Sequence, residues 1–215
     1  MKKTLIQIAI DSPAAAGAGT QAKLLADHYN LLYLDTGKIY RFIAKLKIEN
    51  PKINYKLIKN KIKKLKIKNL NSKKLISDKI AVEASIIAKN KIIRKIVHDF
   101  QIKCAYFPPK RYNGSILDGR DITSVIMKDA KIKFFITASS KVRALRRYKE
   151  LKSIKKNITF QEILKSIKKR DKSDYNRKIS PLKKTKDSVL INTTNLSKRA
   201  CFLKIKKIID RKLNI

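Results

Sequence analysis

The residues best suited to chemistry are Ser12, Pro13, Ala14, Ala15, Ala16, Gly17, Ala18, Gly19 and Thr20. They follow an apolar run and lead into a helix-like stretch from Gln21 to Tyr29. Small residues between a strand and a helix let backbone N–H groups close around a phosphate, and the helix start favours negative charge. By pattern this is a weak match to G-x-x-x-x-G-K-[ST], with Ser12 standing for the first glycine and Ala18 for the lysine. The chemistry implied is a grip on a nucleotide's phosphates. A small-residue turn that merely packs closely in an α/β core has the same pattern.

A second set is basic. Arg41, Arg120, Arg143, Arg146, Arg147, Arg170 and Arg177 offer forked donors suited to phosphate oxygens, and they fall in a few segments against a lysine background. Arg120, between Gly119 and Asp121 at a strand's carboxyl end, lies where ligands of open α/β sheets gather. Arg146 and Arg147 also fit a solvated helix face. His28, His98, Cys104 and Cys201 give neither metal-ligand spacing nor a nucleophilic triad. The two cysteines are expected as buried, reduced thiols.

These residues need a frame, and the alternation of apolar runs with amphipathic stretches implies a parallel sheet covered by helices. The expected strands are Leu5–Ile10, Leu31–Leu34, Ser115–Leu117, Lys133–Thr137 and Ser188–Asn192. The expected helices are Thr20–Tyr29, Lys38–Lys47, Lys141–Lys152, Phe160–Arg170 and Ser197–Lys212. In the last, Ala200, Leu203, Ile205, Ile208 and Ile209 should share the docking face. Residues 49–100 break the rhythm and read as an inserted lobe, with a hairpin or short strands over Lys73–Val82. A disordered basic linker is the other reading of that stretch.

With 215 residues the chain can bury one good core and a small inserted lobe. Its formal charge of +38 suggests a nucleic-acid partner. The lysines, however, are spread along the whole chain and mixed with Ile and Asn, as A/T-rich codons produce. Specific nucleic-acid binding is therefore not expected; polyanion attraction is a side effect of the field. Met1–Lys3 lead straight into a strand without the pattern of a signal peptide, and no apolar stretch is long enough to span a membrane. A soluble cytoplasmic protein is expected.

Past the loop, four further segments occur in order: Asp35-Thr36-Gly37-Lys38-Ile39-Tyr40-Arg41; Asp118-Gly119-Arg120-Asp121; Arg143-Ala144-Leu145-Arg146-Arg147; and Arg170-Asp171-Lys172-Ser173-Asp174-Tyr175-Asn176-Arg177, followed by Pro181-Leu182. Along nearly its whole length the chain resembles bacterial cytidylate kinases, nucleoside monophosphate kinases. The resemblance implies an α/β P-loop NTPase-type three-layer fold with a five-stranded parallel sheet. It implies a kinase core over 1–48 and 101–215 with a short lid around 147–177, and a monophosphate-binding lobe over 49–100. Adenylate kinase is the runner-up, from Gly17-Ala18-Gly19-Thr20-Gln21-Ala22.

The implied reaction moves the terminal phosphate of ATP to CMP or dCMP, in a monomer using magnesium. Ser12 to Thr20 would hold ATP, with the Thr20 hydroxyl on the metal. Arg120, Arg146, Arg147 and Arg170 would be catalytic. Thr36, Arg41, Arg120, Asp121, Asp174 and Arg177 would hold the acceptor nucleotide, with Asp174 on the sugar and Asp121 near the base. Ser85 and Arg94 resemble a pair that reads cytosine. On one unbroken helix they would face opposite ways, so a break near Asn90 is required; a surface helix carrying both incidentally is the other reading. Ala18 leaves three explanations open: a lysine elsewhere, the arginines alone, or an engineered change. It also keeps open a catalytically weakened relative that binds nucleotides or nucleic acid.

Overall fold

The computed structural model describes residues 5–75, 77–152 and 158–215. Met1–Lys3 and residues 153–157 of the expected lid lie outside them. The chain runs β1 (Ile6–Asp11), α1 (Ala18–Tyr29), β2 (Leu32–Asp35), α2 (Thr36–Glu49), α3 (Tyr55–Lys63), α4 (Asp78–Ile87), α5 (Lys91–Tyr106), β3 (Gly114–Gly119), β4 (Ile132–Thr137), α6 (Ser140–Lys152), α7 (Phe160–Asn176), β5 (Val189–Asn192) and α8 (Lys198–Leu213). The strands form one parallel sheet in the order β2-β3-β1-β4-β5.

Strand residues point alternately to opposite faces, and the core divides accordingly. Ile8, Ile10, Ile116, Phe134, Ile136 and Ile191 pack beneath α1 and α8. Ala9, Leu34 and Leu117 face the other way, beneath α2 and α5. The result is three layers, with β1 at the centre joined to β3 and β4. All five expected strands are present, each displaced by a few residues at most.

The 49–100 region is helical. Its Ile58, Ile62, Leu65, Leu70, Leu75 and Ile80 belong to the same buried cluster as Ala9 and Leu117, which overturns the disordered-linker reading. A boundary at residue 100 falls within α5. The expected hairpin at Lys73–Val82 is also corrected: a 3-10 turn covers Lys73–Leu75 and α4 starts at Asp78. Ser77 caps α4, its hydroxyl accepting the Ile80 N–H, and such a cap commits the chain to a helix. On α8 the buried stripe is Cys201, Ile205 and Ile209, at i, i+4 and i+8. Leu203 is exposed, and so is Ala200, so neither docks as expected. A third small cluster, Ala144, Leu151, Ile163 and Ile167, joins α6 to α7.

Candidate active site

Three strand ends and two helix starts converge on one cleft of about 470 Å³. From β1 the chain enters the 12–20 loop, all of whose residues line the cleft. Gly17 caps α1 with φ at 92°, in the left-handed region that glycine adopts without strain. It offers no side chain to the first helical N–H groups, so these donors remain for an anion. Ser12 is held to β3, its N–H donating to the Gly119 carbonyl at 3.1 Å.

Asp11, the last residue of β1, is fully buried, and burial pushes its carboxyl up to about 6. Three donors oppose that rise: the Ile122 N–H at 2.7 Å, the Thr123 N–H at 2.9 Å and the Thr123 hydroxyl at 2.6 Å. They sit in a single π-helical turn, Ile122–Ile126, just after Asp121. Gly119 admits no side chain, because a Cβ there would collide with the Thr36 hydroxyl and Ile122. That hydroxyl donates to the Asp118 carbonyl at 2.9 Å, so Thr36 ties α2 to β3 while lining the cleft.

Of the expected arginines, Arg41, Arg94, Arg120, Arg147, Arg170 and Arg177 line the cleft with Ser85, Asp121 and Asp174. Arg120 Nε donates to Asp174 Oδ2 at 2.8 Å. Arg170 lies 3.9 Å from the same carboxylate, and its Nε is buried without a hydrogen-bond partner. Burial, then the nearby cations Arg120 and Arg41, pull Arg170 down to about 10. Arg41 is likewise lowered by burial, Arg147 and Arg120; its Nη1 donates to the Leu75 carbonyl at 3.0 Å. Arg147 pairs with Glu150 at 2.8 Å.

Arg94 and Asp121 form a close ion pair, with Arg177 3.9 Å from the same carboxylate. The Arg94 guanidinium also lies over the Tyr40 ring, 5.8 Å from its centroid. The required break near Asn90 is present: α4 ends at Ile87, and Asn90 caps α5 by accepting the Ile93 N–H at 3.0 Å. The turn therefore brings Ser85 and Arg94 to one cleft.

Arg143 and Arg146 depart from expectation, since both grip protein groups. Arg143 Nη1 donates to the Ala14 carbonyl at 3.0 Å and Nε to the Ala138 carbonyl at 2.8 Å. Its two terminal nitrogens form a fork with Asp171 of α7 at 3.0 and 2.5 Å. Arg146 donates to the Thr193 hydroxyl at 2.9 Å and carbonyl at 2.7 Å, and reaches the Ala16 carbonyl at 3.4 Å. Both hold loop carbonyls from behind. On a helix, consecutive residues point about 100° apart, so Arg147 enters the cleft where Arg146 turns away.

Sequence reasoning passed over Asp35, Lys38, Tyr40 and Asp118, all of which line the cleft. Their signal was present, because each stands in a quoted motif at a strand's carboxyl end or in the helix after it. Burial and then Asp35 push the Asp118 carboxyl well up, and its Oδ1 is buried without a hydrogen-bond partner. Among the described residues no cluster of His, Cys, Asp and Glu has the form of a metal site, and no helix is long and apolar enough to cross a membrane. Both cysteines are buried and unpaired.

Known proteins resemble this chain along nearly its whole length. A family model described as cytidylate kinase matches residues 8–211. A cytidylate kinase of Clostridium botulinum (strain Loch Maree / Type A3) is 40% identical, covering 96% of this chain and 98% of its own. One from Mesorhizobium japonicum is 40% identical over 94% of this chain and 93% of its own. Among solved structures, an uncharacterized protein of Eubacterium ventriosum covers 96% of this chain and 99% of its own, with TM-score 0.55 and 18% identity, a likeness of fold. With the loop, the Asp118–Asp121 segment and the α7 arginines in one cleft, and a match from Ile8 to Arg211, the chain belongs to the cytidylate kinase family.

Proposed function

We propose that the chain transfers the terminal phosphate of ATP to CMP or dCMP, releasing ADP and CDP or dCDP. One observation carries this reading: Arg41, Arg120 and Arg170 line one cleft, burial and then neighbouring cations lower two of them, and Arg170 keeps a buried donor unpartnered. Such a cluster is electrostatically incomplete without an anion, and a phosphate placed between these forks supplies one.

In this reading the 12–20 loop and the start of α1 hold the donor's phosphates. Arg41 and Arg120 hold the acceptor monophosphate, and Arg147 and Arg170 reach the group in transfer. The attacking oxygen belongs to a phosphate that is already ionised at neutral pH, so no general base is needed. The bond from the terminal phosphorus to ADP breaks as the bond to the acceptor oxygen forms. Positioning and charge stabilisation then carry the rate.

Magnesium fits the acidic edge of the cleft. Asp118 is raised by burial and Asp35, and one of its oxygens has no partner. Thr20 and these carboxylates would hold the ion, which when bound neutralises the donor's phosphate charge. Asp121, Arg94 and Ser85 would face the pyrimidine, and Asp174 the sugar. Residues 49–100 would serve as the acceptor lobe and the α6–α7 region as a lid. A monomer in the cytoplasm, where these nucleotides are found, completes the reading.

A coupled assay across CMP, dCMP, UMP, AMP and GMP tests it. CMP or dCMP should turn over fastest, and preferred turnover of AMP would refute the assignment. Absence of turnover together with RNA binding at physiological salt would establish the weakened, binding-only relative.

A further inference from the structure

We propose that Lys38 supplies the cation that the phosphate loop lacks at Ala18, reaching the donor's phosphates from the opposite wall of the cleft. The inference rests on the kinase reading above. Ala18 opens α1 and is 3% exposed, while Gly17, Gly19 and Thr20 keep the loop's frame around it. The frame still suits phosphates; the charge that bridges them has to come from elsewhere.

Among the described residues two lysines line the cleft, Lys23 and Lys38. Three observations single out Lys38. It stands in the first turn of α2, at the positive end of the helix, with no acidic residue in that turn. A lysine there is electrostatically disfavoured by the helix itself, so its helix gives no reason for the charge. It is also half-buried at the acidic edge: Lys38 opposes the rise of the Asp118 carboxyl. Asp118 in turn reaches the loop, with Oδ2 3.5 Å from where a Cβ on Gly19 would sit. Lys38 and the residue after Ala18 therefore share one carboxylate as neighbour.

The third observation concerns its partner. Lys38 Nζ donates to the neutral Asn71 Oδ1 at 3.1 Å on an exposed turn. That acceptor can be exchanged for a phosphate oxygen without stranding a buried charge. By contrast, Arg120 donates to the carboxylate of Asp174, and Arg147 pairs with that of Glu150. Lys23 is exposed and borders a second cavity beyond the cleft. In the D-T-G-x-x-Y-R segment, position 38 is one of the open ones, so the motif does not dictate a lysine there.

A different role is available to Lys38, namely neutralising Asp35 and Asp118. Rescue distinguishes the two. Turnover and KM for ATP and CMP are measured for the parent, Lys38→Ala, Ala18→Lys and the double variant, with thermal melting of each. Lys38→Ala should lower kcat about 100-fold, the scale for one preorganised contact to transition-state charge, with KM for CMP within about twofold. Adding Ala18→Lys should restore at least tenfold of that loss, whereas in the parent, where it crowds a second cation against Lys38, it should lower kcat. A near-parental Lys38→Ala overturns the proposal, and so does a loss that Ala18→Lys does not restore. A loss that follows Lys23→Ala instead also overturns it. Should Lys38→Ala not fold, Lys38→Gln takes its place. A parent inactive on every monophosphate refutes the kinase reading itself, a result separate from all of these.

Discussion

Replacing Arg143 by alanine should show how strongly the phosphate loop depends on the helices behind it. The Arg143 side chain is 6% exposed and that of Asp171 17%. Four hydrogen bonds join Arg143 to the loop, to the end of β4 and to α7. Removing one partner of a buried, forked pair costs about 3–5 kcal/mol, because the other charge is left behind. Water reaches Asp171 in part, so the lower figure, about 3 kcal/mol, applies. At roughly 2–4 °C per kcal/mol for a chain of this size, Tm should fall by roughly 6–12 °C. Because the Ala14 carbonyl is released as well, KM for ATP should rise about tenfold, and KM for CMP far less. Calorimetry and steady-state kinetics on Arg143→Ala, Asp171→Ala and the double variant measure both effects. The double variant should be more stable than the sum of the singles by at least about 1 kcal/mol, since neither charge is then stranded. A Tm drop below about 2 °C, or additive singles, would refute the pairing as the source of loop order.

Arg120→Ala should lower kcat roughly 100- to 1000-fold while unfolding stays cooperative, because the guanidinium faces an anion rather than the core; near-full turnover would misplace the acceptor phosphate. Asp174 should shape the acid limb of stability. Burial alone would raise its carboxyl, yet Arg120 and Arg170 hold it below the usual range, so its stabilisation is complete above about pH 4 and lost as pH falls below that. Asp174→Asn should flatten that part of the profile, and an unchanged slope would contradict the ion pairs. Binding to RNA or DNA should collapse with salt and show little sequence preference, as counterion release predicts; a sequence-selective complex that survives physiological salt would contradict a merely compositional charge.

The five strands were legible because parallel strands buried on both faces read as short apolar runs, and Ile8-Ala9-Ile10 and Phe134-Phe135-Ile136 are such runs. Helices α3, α4 and α5 were not, since a Lys/Ile/Asn mixture blurs the apolar face. Their caps were nevertheless written in the chain: Asn54, Ser77 and Asn90 each accept the N–H three residues on. Once the resemblance paired Ser85 with Arg94, helical geometry required a break between them, and it is where Asn90 caps α5. The targets of the arginines were not open to the same reasoning. Arg143, Arg146 and Arg147 look alike in sequence and fall within about 100° of one another around α6, yet the first two reach backbone carbonyls and the third lines the cleft. Only the placement of α6 behind the loop decides which is which.

Asp11 has a consequence for how the molecule tolerates change. It ends the strand that leads into the 12–20 loop, yet its carboxylate fastens the turn that follows the Arg120–Asp121 segment. In the reading proposed above, donor and acceptor are thus referenced to one side chain on the central strand, and their separation is gauged there. Lysines can accumulate on the surface to a charge of +38 without altering that gauge. A chain built this way can drift far in its periphery while the 12–20 loop and the Arg120–Asp121 segment keep their spacing.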